Sequence, residues 1–328
     1  MEPTPVSGED PRVSVVIPAY RRADLLELAV RSVLGQDLDP RQYEVLVVDS
    51  SPDDLNVRLV ASMQSGARCA LRCLTKKAEG PGPSRNLGVR EARGRLIAFI
   101  DSDCVADPGW LRAGLAPFDD PKLGLLQGRT LPDPAVPMTS MSRSMRVERE
   151  SMFYETANMF YRKDAFEATG GFIADATPNA LTPFGAEDTE LAWHVKAAGW
   201  KSGFEAGALV YHAVLPITPR QWLVDNRFLA IPRLAAIHPA LRDHFYTRHF
   251  FDDAQAWLTL GLVGTVAAVA LSPWALLAWL PYGVRRASDP TKARGILRLA
   301  RPMLYLPRDL ARFALLLVGS VRYGIVLL

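Results

Sequence analysis

The chain has 328 residues, 49% hydrophobic and 22% charged, enough for a core of roughly 200 to 250 residues with length to spare, which excludes a disordered chain. A net charge of +3, with no basic stripe interleaved with aromatics in the first 240 residues, argues against nucleic-acid binding. Three cysteines, Cys69, Cys73 and Cys104, are an odd number without a second pair to complete a cysteine metal site, and they fit a reduced, cytosolic setting.

Met1 to Arg12 is acidic and Pro-rich, reads as a flexible tail and lacks the apolar stretch of a signal peptide, so the globular part is expected to stay on the side where it is made. Val13 to Ile17 reads as a buried strand, and Leu26, Ala29, Val30, Val33 and Leu34 then recur at helical spacing. A second apolar run, Tyr43 to Val48, ends at Asp49 in a Ser/Pro/Asp-rich loop. A weaker one, Ala70 to Leu74, leads to the turn Gly80-Pro81-Gly82-Pro83. Leu96 to Ile100 is a fourth strand. Continuous apolar strands separated by helical segments predict an α/β fold with a parallel sheet covered on both faces. Ligands of such sheets bind beyond the carboxyl ends of the strands, where Tyr20, Asp49 and Asp101 fall. Asp107-Pro108 suits the cap and first turn of a short helix, and the stretch from there to about Glu155 shows no clear periodicity.

Two acidic motifs stand out. Asp101-Ser102-Asp103 follows a buried strand, so its two carboxylates lie at the sheet's edge, where such a pair can hold a hard divalent cation bridging a diphosphate. The competing reading is a solvated turn with a helix cap. Phe184-Gly185-Ala186-Glu187-Asp188 precedes Leu191, Ala192, Val195 and Ala198 on one helical face, with Gly199 at the C-cap. Acidic residues in a first helical turn also satisfy the helix dipole, so simple helix punctuation is the alternative. The functional reading is a carboxylate that takes a proton from an attacking hydroxyl.

Five segments, taken in order, resemble family 2 of the inverting glycosyltransferases, with a GT-A fold. They are Val-Val-Ile-Pro-Ala-Tyr (15 to 20), Val-Val-Asp-Ser-Ser (47 to 51), Ser-Arg-Asn-Leu-Gly (84 to 88) with Ala-Arg-Gly (92 to 94), Ile-Asp-Ser-Asp (100 to 103), and Gly-Gly-Phe (170 to 172) followed by Glu187-Asp188. The resemblance covers roughly Val13 to His212 and implies a Rossmann-like, mostly parallel sheet flanked by helices. It further implies that Pro18, Ala19 and Tyr20 line the nucleotide pocket and that Asp49 accepts a hydrogen bond from the base. Arg85 would sit by the nucleotide, Asp101 and Ser102 by the ribose or donor sugar, and Asp103 on the metal. Asp188 would be the general base, with Glu187 beside it, and His212 in Leu-Val-Tyr-His-Ala would complete the metal site. The implied cofactor is Mg²⁺ or Mn²⁺, since hard oxygen ligands make no strong case for zinc. The implied donor is a nucleotide sugar, in the first instance a UDP-sugar. The chain departs from the family pattern at Ser50, where relatives carry Asp or Asn, and at His194, where they carry Arg; the second change bears on acceptor or phosphate contacts of that helix. Arg220-Gln221-Trp222 is not the Gln-x-x-Arg-Trp motif of processive synthases, which points to transfer of one or a few sugars.

Ala254 to Val284 holds 31 consecutive residues without a formal charge, more than the roughly 20 that cross a bilayer. Ser272-Pro273 and Pro281 argue against one straight helix and for a kinked span or a re-entrant hairpin. Arg285 to Arg301 carries six Lys/Arg against Asp289 alone, favouring the cytoplasmic side. From Arg301 onward, Arg301, Arg308, Arg312 and Arg322 fall on one helical face amid Phe313, Leu315, Leu316, Leu317 and Val318, which reads as an interfacial amphipathic helix; a helix docked on the domain is the alternative. The expected layout is a tail over 1–12, the catalytic domain over 13–215, a helical linker or acceptor region over 216–253, a membrane segment over 254–284 and a basic stretch with an amphipathic helix over 285–328. The expected setting is the cell membrane with the catalytic domain cytoplasmic, membrane lipids as partners and a glycan or lipid-linked acceptor.

Three rival functions follow. A polyprenyl-phosphate sugar synthase would need little base catalysis, which Glu187-Asp188 opposes. A non-catalytic donor-binding scaffold would have no use for both acidic motifs. A nucleotidyltransferase would want a Gly-rich loop after the first strand, where this chain has Pro18-Ala19-Tyr20-Arg21-Arg22.

Overall fold

A computed structural model describes residues 10–173, 186–288 and 299–328. Residues 1–9 of the tail, Phe184 and Gly185 of the second acidic motif, and 289–298 of the basic stretch lie outside the described residues. The chain divides into two units, one ending at Pro216 and the other beginning at Ile217, with part of the segment before Glu187 assigned to the second.

In the first unit the apolar runs become the strands expected of them. Strand β1 (Val13–Ala19) leads through helix α1 (Ala23–Leu34) to β2 (Tyr43–Asp49), then α2 (Leu55–Gln64), β3 (Ala70–Thr75), α3 (Pro81–Glu91) and β4 (Leu96–Ile100). Every residue of β2 and β4 is buried. Helix α1 turns Leu26, Ala29, Val30 and Val33 to the core, the face its spacing predicts.

The uncharted middle holds β5 (Cys104–Ala106), α4 (Trp110–Leu115), β6 (Leu123–Pro132), β7 (Ser142–Arg143), β8 (Asn158–Arg162) and α5 (Lys163–Ala168). Helix α6 (Glu187–Ala197), β9 (Lys201–His212) and β10 (Leu215–Pro216) complete the unit. Asp107-Pro108 forms the turn ahead of α4, with Asp107 Oδ1 accepting from the Gly109 N–H at 3.0 Å, so the helix starts slightly later than expected.

The sheet order is β3-β2-β1-β4-β8-β6-β9-β5, and β7 pairs with β10 in a separate ribbon. Strands β3, β2, β1 and β4 run parallel. Beyond them β8 is antiparallel to both β4 and β6, β9 is parallel to β6, and β5 is antiparallel to β9. The sheet is therefore mixed, parallel over the half that the sequence reading covers. Glycine permits two close approaches in that half. A Cβ on Gly88 would lie 2.4 Å from Val16 Cγ1, so only glycine lets α3 pack this closely on β1, and a Cβ on Gly94 would lie 2.6 Å from the Ser14 amide.

The second unit contains α7 (Pro219–Leu223), α8 (Ile231–Ile237), α9 (Asp253–Ala270), α10 (Leu280–Ala287) and α11 (Arg301–Tyr323). Helix α9 is long and apolar enough to cross a membrane by length and composition. The chain reverses at Leu271 and Ser272, and Pro273–Trp279 packs back along α9. Contact is close because a Cβ on Gly261 would lie 2.6 Å from the Trp279 ring and one on Gly264 2.5 Å from Ala278 Cβ. Around the turn Val269, Leu271 and Trp274 are 90%, 85% and 77% exposed.

Helix α11 differs from its sequence reading in which face it leaves free. Arg301 is buried, and the Arg312 guanidinium lies 4.3 Å from the Phe228 ring centroid and 3.2 Å from Asp252. Arg308 sits over the Trp222 ring. Carboxylates and aromatic faces within the unit draw the arginines in. Asp309 is buried there too, accepting from Tyr282 Oη at 2.8 Å and Arg286 Nε at 2.7 Å. Arg322 stays exposed, beside an exposed apolar stripe made of Met303, Leu304, Leu310, Leu317, Val318 and Val321.

Candidate active site

The parallel strands deliver their carboxyl ends to one edge. Ala19 closes β1, and its carbonyl accepts both the Ser50 amide and hydroxyl, at 3.0 and 3.2 Å, tying the first and second motifs together. Pro18 and Ala19 lie within the strand itself, paired with Val48 and Asp49. Asp49 is buried, and its Oδ1 accepts from Ser51 N, Ser51 Oγ and Asn56 Nδ2 at 3.2, 2.7 and 2.9 Å. Asn56 was not singled out in the sequence. Tyr20 stands half exposed on the wall of a cleft of about 540 Å³, with Ser50, Ser51, Thr75, Lys76 and Lys77 around it.

The third and fifth motifs meet at Arg85. Its guanidinium donates 2.7 Å to Asp101 Oδ1 and 3.2 Å to Asp188 Oδ1, and it stacks over the Phe172 ring at 5.4 Å. Asn86 clamps the backbone of Phe172 from both sides: the Phe172 N–H donates to Asn86 Oδ1 at 2.9 Å and Asn86 Nδ2 donates to the Phe172 carbonyl at 2.7 Å. Gly171 makes this possible, since at φ +72 a Cβ there would lie 2.7 Å from Asn86 Oδ1. Ser-Arg-Asn-Leu-Gly and Gly-Gly-Phe are thus two halves of one device that aims Arg85. Burial alone would weaken the charge on Arg85; the carboxylates of Asp101, Asp188 and Glu187 outweigh it and hold the guanidinium charged.

Asp188 stands in the first turn of α6 with Glu187, which is buried. Besides Arg85, it accepts from the Thr156 backbone N–H at 3.0 Å. The loop that supplies this N–H is held by Tyr154, a buried non-glycine residue at φ 48, whose hydroxyl donates to Glu150 at 2.6 Å and accepts from Lys196 Nζ at 2.7 Å. Burial pushes the Asp188 carboxyl up to about 6; Arg85 pulls against that and Glu187 adds to it. At neutral pH Asp188 is therefore mostly ionised yet basic enough to accept a proton.

Asp103, on the turn between β4 and β5, lies 3.7 Å from His212 Nε2 at the end of β9 and 3.4 Å from Arg22 Nη1. Burial first, then the neighbouring charge of Asp101, raises its carboxyl above the usual range, against the pull of His212 and Arg22. Arg21 and Arg22 both take left-handed backbone, at φ 58 and 53, and that turn brings Arg22 to Asp103. His212 Nδ1 lies 2.8 Å from the Ala213 carbonyl, which can only accept, so Nδ1 carries a proton toward the backbone while Nε2 faces Asp103. This is the arrangement that orients an imidazole toward a metal, and the donor set fits a divalent ion. Ser102 lies in the turn between the two carboxylates.

Residues 14–175 match the model described as Glycosyl transferase family 2. Glycosyltransferase AglE of Haloferax volcanii is 28% identical over 87% of this chain and 86% of that protein. The pre-mycofactocin glycosyltransferase of Mycobacterium tuberculosis is 27% identical over 85% of this chain and 54% of that protein. Among solved structures, the mannosyltransferase PcManGT from Pyrobaculum calidifontis, in complex with GDP-Man and Mn²⁺, superposes with a TM-score of 0.58 at 18% identity, covering 98% of this chain and 90% of that one. S. aureus TarS 1–349 with UDP-GlcNAc gives a TM-score of 0.55 at 18% identity over 96% and 92%. The fold is that of the GT-A enzymes.

Proposed function

The chain belongs to glycosyl transferase family 2 and is a glycosyltransferase, and from that premise we propose that it moves one or a few sugars, with inversion, from a nucleotide sugar to a hydroxyl of a glycan or lipid-linked acceptor. The observation that carries the reading is the bridge from Asp101 through Arg85 to Asp188. It ties the strand end expected to meet donor sugar to the carboxylate expected to meet acceptor, with one buried cation between. Asp188, raised to about 6, takes the proton of the attacking hydroxyl, while Arg85 and the Thr156 N–H keep its carboxylate in one orientation. Attack from the Asp188 side, opposite the departing diphosphate, inverts the anomeric centre.

The cleft beside Tyr20 and Ser51 suits the nucleoside, with Asp49 fixed behind it by Asn56. We take a UDP-sugar as the donor; the similar solved structures hold GDP-Man and UDP-GlcNAc. Asp103 and His212 would hold a divalent cation, Mg²⁺ or Mn²⁺, whose chemistry when bound is to neutralise charge on the leaving diphosphate. The exposed apolar surface of the second unit supports work at the cytoplasmic membrane face. The test is a panel of nucleotide sugars offered to detergent-solubilised protein with each divalent ion. One donor should raise the melting temperature and be slowly hydrolysed; no response to any donor would reject the assignment.

A further inference from the structure

The antiparallel register of β5 and β9 sets Cys104 directly across from His212. Cross-strand partners present their side chains on the same side of a sheet, about 5 Å apart. The thiol sulfur of Cys104, a carboxylate oxygen of Asp103 and a ring nitrogen of His212 accordingly lie within 4.8 Å of one another. A single ion about 2.0 to 2.3 Å from each donor spans at most about 4.6 Å between them, so small side-chain adjustments within that limit bring all three onto one ion. His212 contributes a nitrogen already turned toward the group, because Nδ1 is engaged by the Ala213 carbonyl. Cys104 is 1% exposed, so its sulfur faces the cluster and the core and not solvent. Neither Cys69 nor Cys73 belongs to such a group among the described residues.

We propose that Cys104 is the third protein ligand of the Asp103–His212 ion site and that it gives the site a preference for borderline-soft ions, Co²⁺, Zn²⁺ and Cd²⁺, over Mg²⁺. The inference rests on the reading of Asp103 and His212 as ion ligands and revises its hard-oxygen chemistry. A carboxylate with water favours Mg²⁺ and Mn²⁺, whereas an imidazole and a thiolate added to it favour later transition metals. When the ion binds, the metal–sulfur bond forms as the thiol proton leaves to solvent, so one proton is released per ion and no oxidation state changes.

The test reads the ion directly and is independent of sugar transfer. Metal-free full-length protein is titrated with Co²⁺ in the absence of donor. The wild type should develop a thiolate-to-cobalt charge-transfer band in the near ultraviolet beside the visible ligand-field bands. Cys104→Ser should lose the charge-transfer band. Its Zn²⁺ affinity should fall at least about tenfold, the scale on which even an outer-shell partner of a metal ligand matters, while its Mg²⁺ affinity stays within about twofold. The Cys69→Ala/Cys73→Ala variant leaves Cys104 as the sole thiol and should retain the band, which keeps the test open should Cys104→Ser fail to fold. No charge-transfer band at saturating Co²⁺, a band lost from the double variant, or a band that survives in folded Cys104→Ser overturns the proposal. If the charge-transfer result holds and no nucleotide sugar is ever turned over, the functional reading fails and the ion site stands.

Discussion

Arg85 and Asp188, 103 positions apart in the chain, meet at 3.2 Å with Arg85 almost fully buried. A guanidinium so placed cannot be neutral, and it needs the carboxylate as much as the carboxylate needs it. Removing the charge of Asp188 by Asp188→Asn keeps shape and one acceptor oxygen. The expected result is a fall in kcat of roughly 10²-fold or more, the usual worth of a general base, with donor affinity nearly unchanged. Single-turnover transfer and nucleotide titration separate the two. Wild-type-like turnover would remove Asp188 from the chemistry.

The pH profile follows from the same pair. Because Asp188 must be ionised to act and burial raises its carboxyl to about 6, kcat/KM should climb about tenfold per pH unit below that value and level off above it. Arg85 pulls this pKa down, so Arg85→Gln should move the acid limb toward higher pH in addition to lowering the rate. An acid limb that stays in place in the variant would assign it to another group.

Asp103→Ala and His212→Ala are expected to weaken divalent-ion binding and, with it, donor binding. Both quantities are read by calorimetry on the same samples. EDTA should abolish activity and Mn²⁺ restore it. Full activity in EDTA would call for a metal-free mechanism, and unchanged ion affinity in His212→Ala would leave that histidine a structural strand residue.

Gly88→Ala tests the packing beneath the site. The added Cβ would meet Val16 Cγ1 at 2.4 Å, an overpacking that typically costs about 1 to 3 kcal/mol. The melting temperature should drop by several degrees. Since the obstacle is the two methyl groups of Val16, at 2.4 and 3.0 Å, removing them in Gly88→Ala/Val16→Ala should give back part of the loss, a non-additivity expected of residues in contact. Strictly additive losses would locate the strain elsewhere.

The residues that could be read from the sequence are those whose neighbours along the chain explain them. Strands β1, β2 and β4 are unbroken runs of buried apolar residues, and Asp101 and Asp103 follow directly from the end of one. Strand β6 escaped notice because Gly124 and Gly128 interrupt its pattern. Each glycine admits a neighbour, the Trp200 side chain and the Ala208 carbonyl respectively, that nothing local announces. Strand β8 opens with a buried Asn158, whose amide donates to the Arg129 and Ala208 carbonyls and accepts from Trp110, so a polar residue occupies a core position. In the site, Asn56, Thr156 and Cys104 matter only through partners that the fold brings to them, Asp49, Asp188 and His212. The arginine face of α11 was legible as a face, but not that Arg301 and Arg312 on it turn inward. Its neutralising partners, Asp252 and the Phe228 ring, lie 60 and 84 positions away from Arg312.

The last expectation concerns how the second unit meets a bilayer. Residues 254–284 as one straight helix would extend about 46 Å at 1.5 Å per residue, well past a hydrocarbon core of about 30 Å. Instead the chain reverses at Leu271 and Ser272, placing Val269, Leu271 and Trp274 on the tip of a hairpin where no protein covers them. A hairpin of this kind enters and leaves on one side, which would keep the catalytic unit and the basic stretch after Val284 both cytoplasmic. The protein should therefore float with lipid vesicles. Val269→Asp with Leu271→Asp should weaken that binding by at least about tenfold, because a charge moved into hydrocarbon costs about 2.5 to 3.5 kcal/mol even on insertion scales. A cysteine introduced at position 289 should resist an impermeant reagent applied outside intact cells. Labelling there would mean that the segment crosses completely, and vesicle binding indifferent to both aspartates would mean that this apolar tip faces something other than lipid.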